Sequence, residues 1–253
     1  MKKTQKETRE SIVSFFKQPK VETDLIPVGD GIPFGMERVY HQGLGFGGVY
    51  GTWGSSYDNE TLFDFIEQNY GKPLKPDERM NLETLGFVHR HHVPELAYEE
   101  NLALEVEVGA RLLREAAKVN GWQPEEVEGV LVGMTGPIAD DFTERIATEA
   151  GIPASALKIS VHKACDSSTG ALHMVLNPDL QVHAEINRNI AEEMYGKKVL
   201  VGGFEGLSRV VKNSGDISAM QLFGNGAGVI GVIPGETMKF LVGKPFEKYD
   251  EKG

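Results

Sequence analysis

The sequence predicts an α/β fold built on a largely parallel sheet. Two observations carry this. Short apolar runs of strand length alternate with helical segments of about 10–25 residues, the rhythm of strand–helix–strand units. The chain, with 253 residues of which 40% are hydrophobic and 25% charged, is also long and apolar enough to bury a sizeable core.

The elements follow in order. Residues 1–20 hold six Lys/Arg against two Glu, so the chain opens on a basic arm, and Ile12, Phe15 and Phe16 share one face of an amphipathic helix there. Residues 18–36, with Pro19, Pro27, Pro33 and several glycines, read as an extended connector. Arg38–Leu44 reads as a first strand. Asn59–Asn69 has a helical pattern in Leu62, Phe63, Phe65 and Ile66. The clearest helix is Pro94–Asn120: Leu102, Val106, Gly109, Leu113 and Ala117 recur at intervals of three or four, and Gly121 stops it. Its region is acidic, since residues 95–128 carry nine Glu against Arg111, Arg114 and Lys118. Val130–Val132 is a short apolar strand, Asp141–Ala150 a helix closed by Gly151 and Pro153, and Leu157–Val161 a further strand. Ala164–Leu176 is a helix of small residues, broken at Asn177-Pro178, and Asp179 caps a second helix running to Tyr195. Lys198–Val201 is a strand, and Met220–Ile233 is a long strand bent at its glycines. There is no internal repeat and no low-complexity tract.

Composition removes several classes of function. One cysteine excludes an intrachain disulfide framework and a zinc site with several cysteine ligands. A net charge of −11 disfavours nonspecific nucleic-acid binding, which depends on Lys and Arg neutralising phosphates. No apolar run approaches the about 20 residues that span a bilayer, and MKKTQKETRE lacks the apolar core of a signal peptide. A cytoplasmic protein, without nucleic-acid or membrane partners, is the expectation. His89, His91 and His92 surround Arg90 without any accompanying carboxylate or cysteine pattern, so they read as a solvated basic loop and not as a metal site. Gly43-Leu-Gly45-Phe-Gly47-Gly48 satisfies G-x-G-x-x-G literally, but no helix begins there to receive a pyrophosphate. Neither a metal nor a cofactor is expected.

The most informative segment is Ile159-Ser-Val-His-Lys-Ala-Cys165-Asp-Ser-Ser-Thr-Gly-Ala-Leu172. An apolar strand runs into Cys165 and then into the small-residue helix. A thiol at such a turn has free backbone N–H groups and the positive helix end beside it, which favour the nucleophilic form. Asp166 opposes this with a negative charge next to the thiol. A buried structural cysteine is the alternative.

This stretch resembles the nucleophile region of the thiolase superfamily, most closely its 3-oxoacyl-acyl-carrier-protein synthase III branch, whose acylated Cys lies in a segment A-C-x-x-x-x-x-A-L matched by Ala164, Cys165, Ala171 and Leu172. Leu200-Val-Gly-Gly-Phe-Glu205-Gly-Leu-Ser208-Arg209 resembles the family's strand followed by E-x-L-S-R, and Leu222-Phe-Gly224-Asn-Gly226-Ala-Gly228 its L-F-G-D-G-A-G. Leu44–Tyr50 is similar to the family's first strand and loop, and Asn81–His92 more weakly to its R-T-G-I-x-x-R segment. Extra residues relative to the family fall around Asn177–Asn189.

The resemblance implies the N-terminal half of a thiolase-like fold: a five-stranded, mainly parallel sheet with the last strand antiparallel and helices on both faces. It implies an arm and connector over 1–36, the half itself over 37–235 and a tail over 236–253. Cys165 would be the catalytic nucleophile and its backbone N–H an oxyanion donor. The substrate would be an acyl thioester of coenzyme A or acyl carrier protein. The family's catalytic His and Asn belong to the second half, so a second chain carrying them is expected, together with homodimer pairing through a sheet edge. Met80 and Thr84 stand where the family has a Trp and an Arg that clamp the coenzyme A adenine. With Asp166, they leave a non-catalytic scaffold or regulatory subunit as the other reading.

Overall fold

A computed structural model describes residues 19–41, 45–235 and 238. The basic arm, Leu44 and nearly all of the 236–253 tail lie outside the described residues. The strands are β1 (Lys20–Val28), β2 (Ile32–His41), β3 (Phe46–Trp53), β4 (Ser55–Asp58), β5 (His89–His92), β6 (Gly129–Gly133), β7 (Leu157–Val161), β8 (Val199–Gly206) and β9 (Asn225–Val232). The helices are α1 (Asn59–Tyr70), α2 (Tyr98–Val119), α3 (Phe142–Ala150), α4 (Ser167–Leu176), α5 (Gln181–Glu185), α6 (Ile190–Glu193), α7 (Ser208–Ser214) and α8 (Ile217–Leu222).

One sheet of seven strands runs in the order β1-β2-β3-β9-β8-β6-β7. Its last five strands form the expected unit. β6 pairs in parallel with both β7 and β8, while β9 lies antiparallel between β8 and β3. Four strands therefore run one way and β9 runs against them. The strand count differs from the expected five because residues 20–36 are not a connector. They form β1 and the start of β2, an antiparallel hairpin turned at Gly29-Asp30-Gly31 that adds to the sheet beside β3. Gly29 and Gly31 have φ of 51° and 90°, which only glycine adopts without strain. Pro27 had argued against a strand, but β1 is an edge, where a missing donor is tolerated.

Both faces of the sheet carry helices, and strand alternation decides which residue faces which layer. Val130, Val132, Leu200, Phe204 and Val229 join α2 and α3 in one core, while Leu131, Val199, Val201 and Val232 join α4 and α6 in another. On the first side, Phe204 stacks between Trp53 and Phe142, with ring centroids 4.8 and 4.7 Å apart, tying β8 to β3 and α3. A third cluster joins α1, α7 and α8 through Leu62, Ile66, Val211 and Met220.

Other boundaries shift for local reasons. The second small helix, expected over Asp179–Tyr195, is two short ones, α5 and α6, because Asn187 takes a left-handed φ of 52° between them. The run Met220–Ile233 splits into α8 and β9. Asp216 accepts from the N–H groups of Ser218 (2.8 Å) and Ala219 (3.0 Å) and so starts a helix through Leu222. Among the described residues no helix is long and apolar enough to cross a membrane.

Candidate functional site

Cys165 lies in a single 3-10 turn, Ala164–Asp166, between β7 and α4. The turn is pinned by Ser167, which is 2% exposed. Its Oγ accepts from the Lys163 N–H at 2.7 Å and lies within hydrogen-bonding distance of the carbonyls of Ala164 (2.7 Å) and Met134 (3.2 Å). The last contact binds the cysteine turn to the end of β6. Ala164 holds a φ of 47°, a left-handed conformation that an L side chain resists. Ala164→Gly is expected to stabilise the chain by roughly 0.5–1 kcal/mol, the relieved backbone cost less glycine's added chain entropy. Urea unfolding measures this, and an unchanged or lowered midpoint would refute the strain.

α4 sits unusually low on the sheet. A side chain at Gly133 would overlap the backbone of Ser167 and Ser168, and one at Gly203 would lie 3.0 Å from the Ser168 Cβ. Gly133 and Gly203 are opposite each other on β6 and β8. The two glycines are what let the first turn of α4, with Cys165 at its head, lie on the strand ends.

Cys165 is exposed and opens into a cavity of about 670 Å³. The floor continues from Gly203 to Gly226 on β9, where an added side chain would meet only Tyr50, 3.7 Å away. Thr52, Thr135 and Glu205 give it polar edges, and Phe87, Val210 and Phe223 an apolar wall. Burial raises the pKa of Tyr50, helped by Glu37. Burial also raises that of Glu205, against the lowering effect of its Thr135 hydrogen bonds and of Arg209. Asp166, expected to sit against the thiol, forms an ion pair with Lys163 at 3.5 Å.

The histidine segment is a correction. Residues 89–92 are not a solvated loop but strand β5, paired with β4, because Arg90 and His92 point inward in alternation. Arg90 is 4% exposed; its Nε donates to the Gln221 carbonyl at 2.9 Å and its guanidinium lies 4.4 Å from the Phe87 ring centre. His89 and His91 line the Cys165 cavity. Burial lowers the His91 pKa, with His89 adding to it. Among the described residues, no group of three or more His, Cys, Asp or Glu is placed to hold a metal.

Several other residues stay apart from the cavity lining. His162 is exposed, and His173 lies half-buried along α4. Met80 packs against the α1–α7–α8 cluster and its N–H donates to Gln221, while Thr84 is exposed in a turn closed by Asn81. The glycine motif does not bind a helix N-terminus: Gly47 and Gly48 are inside β3, Gly226 and Gly228 inside β9, and Gly43 lies outside the described residues.

No protein-family model and no curated protein matches the sequence. Solved structures do. The chain is similar to 1,3,6,8-tetrahydroxynaphthalene synthase from Streptomyces coelicolor A3(2), a bacterial type III polyketide synthase, at 14% identity and a TM-score of 0.55, over 73% of this chain and 55% of that one. A type III pentaketide synthase from Neurospora crassa gives 16% identity and a TM-score of 0.52, over 76% and 55%. A fungal type III polyketide synthase gives 15% and 0.52, over 70% and 52%. The chain therefore has the thiolase-like fold. It spans about half the length of the solved structures it matches.

Proposed function

We propose that this chain is the acyl-transfer part of a thiolase-like condensing enzyme, in which Cys165 attacks the carbonyl of an acyl thioester and holds the acyl group. The observation that carries the reading is the placement of Cys165: exposed, at the head of a helix seated on Gly133 and Gly203, and open to a cavity with a glycine floor. The backbone N–H of Cys165 serves as one oxyanion donor. The thioester belongs to coenzyme A or an acyl carrier protein. A second chain supplies the His and Asn for carbon–carbon condensation. Copies of the chain pair through the edge strand β7, and the complex works in the cytoplasm. The second reading, a scaffold or regulatory subunit with a vestigial cysteine, is favoured by the placement of Met80 and Thr84 outside the cavity lining.

Intact-mass analysis after exposure to a short acyl thioester separates the two. The expected result is one acyl group per chain, mapped to Cys165 and abolished in Cys165→Ala. A folded chain that takes up no acyl group supports the scaffold. Native co-purification is expected to return a stoichiometric second chain of comparable size bearing the His and Asn. A monomer that condenses by itself would overturn the divided arrangement.

A further inference from the structure

β6 and β8 run side by side, with Gly133 opposite Gly203. Side chains two residues further on share the same face of the sheet. On β6 that position is Thr135, just beyond the strand, and on β8 it is Glu205. The glycines receive the first turn of α4, so Thr135 and Glu205 stand about 6–7 Å further along the strands, in the cavity that Cys165 opens into. Tyr50 reaches the same place from β3, since Gly226, the partner of Glu205 in β9, lies beneath its hydroxyl.

The two oxygens of Glu205 are not equivalent. Oε1 accepts from the Thr135 N–H at 2.6 Å and is bonded to the Thr135 hydroxyl at 2.7 Å. Oε2 is buried and has no hydrogen-bond partner. A buried acceptor left without a partner requires an explanation. Holding the strand end needs only Oε1, and an amide would do that equally well. Oε2 has a use only if a proton or a ligand comes to it.

We infer that Glu205 is the proton carrier of the Cys165 site, taking the thiol proton as the acyl group arrives and returning it to the departing thiol. The inference rests on the reading of Cys165 as an acyl acceptor. The Cys165 S–H bond breaks and its proton passes to Oε2 of the carboxylate. The sulfur electron pair forms the new S–C bond to the thioester carbonyl carbon. The carrier's C–S bond breaks, and the carrier thiolate takes the proton from Oε2. Glu205 ends as it began, and no further reactant is needed. The other charged and titratable groups that act on the carboxylate or line the same cavity are Arg209 on α7, Glu105 on α2, Tyr50 on β3, His89, Arg90 and His91 on β5, Cys165, and Asp216 ahead of α8. Of these, Arg209 is engaged by Glu105 at 2.7 Å.

The test uses the full chain and an acyl N-acetylcysteamine thioester, a probe that needs no carrier recognition. The rate of Cys165 acylation is followed by intact mass from about pH 5 to 9. Glu205→Gln keeps the acceptor for Thr135 and removes the titrating oxygen. It is expected to slow acylation about 100-fold, the low end for a positioned acid or base, and to erase one inflection from the rate–pH profile. Glu205→Asp is expected to recover part of the rate and to restore the inflection. A folded Glu205→Gln chain that acylates at the wild-type rate with the wild-type profile would overturn the inference and leave Cys165 as acceptor. A wild-type chain that takes up no acyl group would overturn both. If Glu205→Gln does not fold, Thr135→Val reads the same role: releasing one bond to Oε1 is expected to move the inflection, and an unmoved inflection counts against the inference.

Discussion

Gly133→Ala is expected to destabilise the chain by at least about 3 kcal/mol, the upper range for forcing atoms into a packed interior. The added methyl would overlap the Ser167 carbonyl carbon and the Ser168 nitrogen. Both are backbone, and neither can rotate away as a side-chain tip would. Relief requires the first turn of α4 to lift off the sheet, which breaks the contact of Ser167 with the Met134 carbonyl and moves Cys165. Two measurements check this: the urea midpoint, expected to fall, and iodoacetamide alkylation of Cys165, expected to change rate. By contrast, Gly136→Ala, where an added methyl meets nothing within 4 Å, is expected to leave both unchanged. A Gly133→Ala chain with wild-type stability would mean that α4 does not seat on the sheet as described.

The second large effect concerns pH. His92 is 1% exposed, its ring nitrogens have no hydrogen-bond partners, and the rings of Phe65 and Tyr57 lie 5.2 and 6.1 Å away. Burial, with Lys212, Arg90 and His91 adding to it, pushes its pKa down to about 4. A base with a depressed pKa contributes stability that is complete above its unfolded value, about 6.5, and that is lost as the pH falls towards 4. Glu105 works in the opposite direction. It is 3% exposed, and burial pushes it up to about 7, against the pull of Arg209 and with repulsion from Glu205. Its contribution is complete below about 4.5 and is lost as the pH rises through 7. Each is of the order of 3 kcal/mol across its window. Between about pH 4.5 and 6.5 the two slopes oppose each other and nearly cancel.

Removing either group therefore exposes the other. Glu105→Gln keeps an oxygen for Arg209 and is expected to give a chain that weakens progressively on acidification below about pH 6.5. His92→Phe is expected to weaken as the pH rises from about 4.5 to 7. The readout is the slope of unfolding free energy against pH relative to wild type, which separates titration from any constant loss of packing. Wild-type slopes in both variants would dismiss the pair.

The sequence carried the fold where order is local. Leu157–Val161 reads as a strand and is one, since its apolar residues are flanked by clear stops. The helix pattern of Leu102, Val106, Leu113 and Ala117 likewise survives as α2. The place of Cys165, in a turn between a strand and a helix, was legible because a strand, a turn and a run of small residues lie next to each other along the chain. β1 was not, because its residues are mostly exposed and only its partner β2 makes it a strand. β5 was hidden in the same way: three histidines and an arginine become a strand by pairing with β4. Glu205 and Tyr50 were out of reach for a further reason. They come to one cavity only because β9 joins β3 to β8, which no local pattern announces. The period-two run of Val199, Val201 and Gly203 did point Glu205 at the α4 face, and that alternation was the available signal.

The pairing of β3 with β9 has a consequence for how the chain reaches its structure. Gly48 finds its partner in Ile230, close to the far end of the described residues. The β1–β2–β3 ribbon precedes the other strands of the sheet, and its inner edge stays open until the segments leading to β9 have been made. Contacts of such long sequence separation slow folding, and an open ribbon edge is a template for pairing with the wrong strand. The glycines on that edge, Gly48 and Gly51, present little apolar surface to such a stray partner. The same small residues that later admit close neighbours would, on this view, also keep the waiting edge quiet.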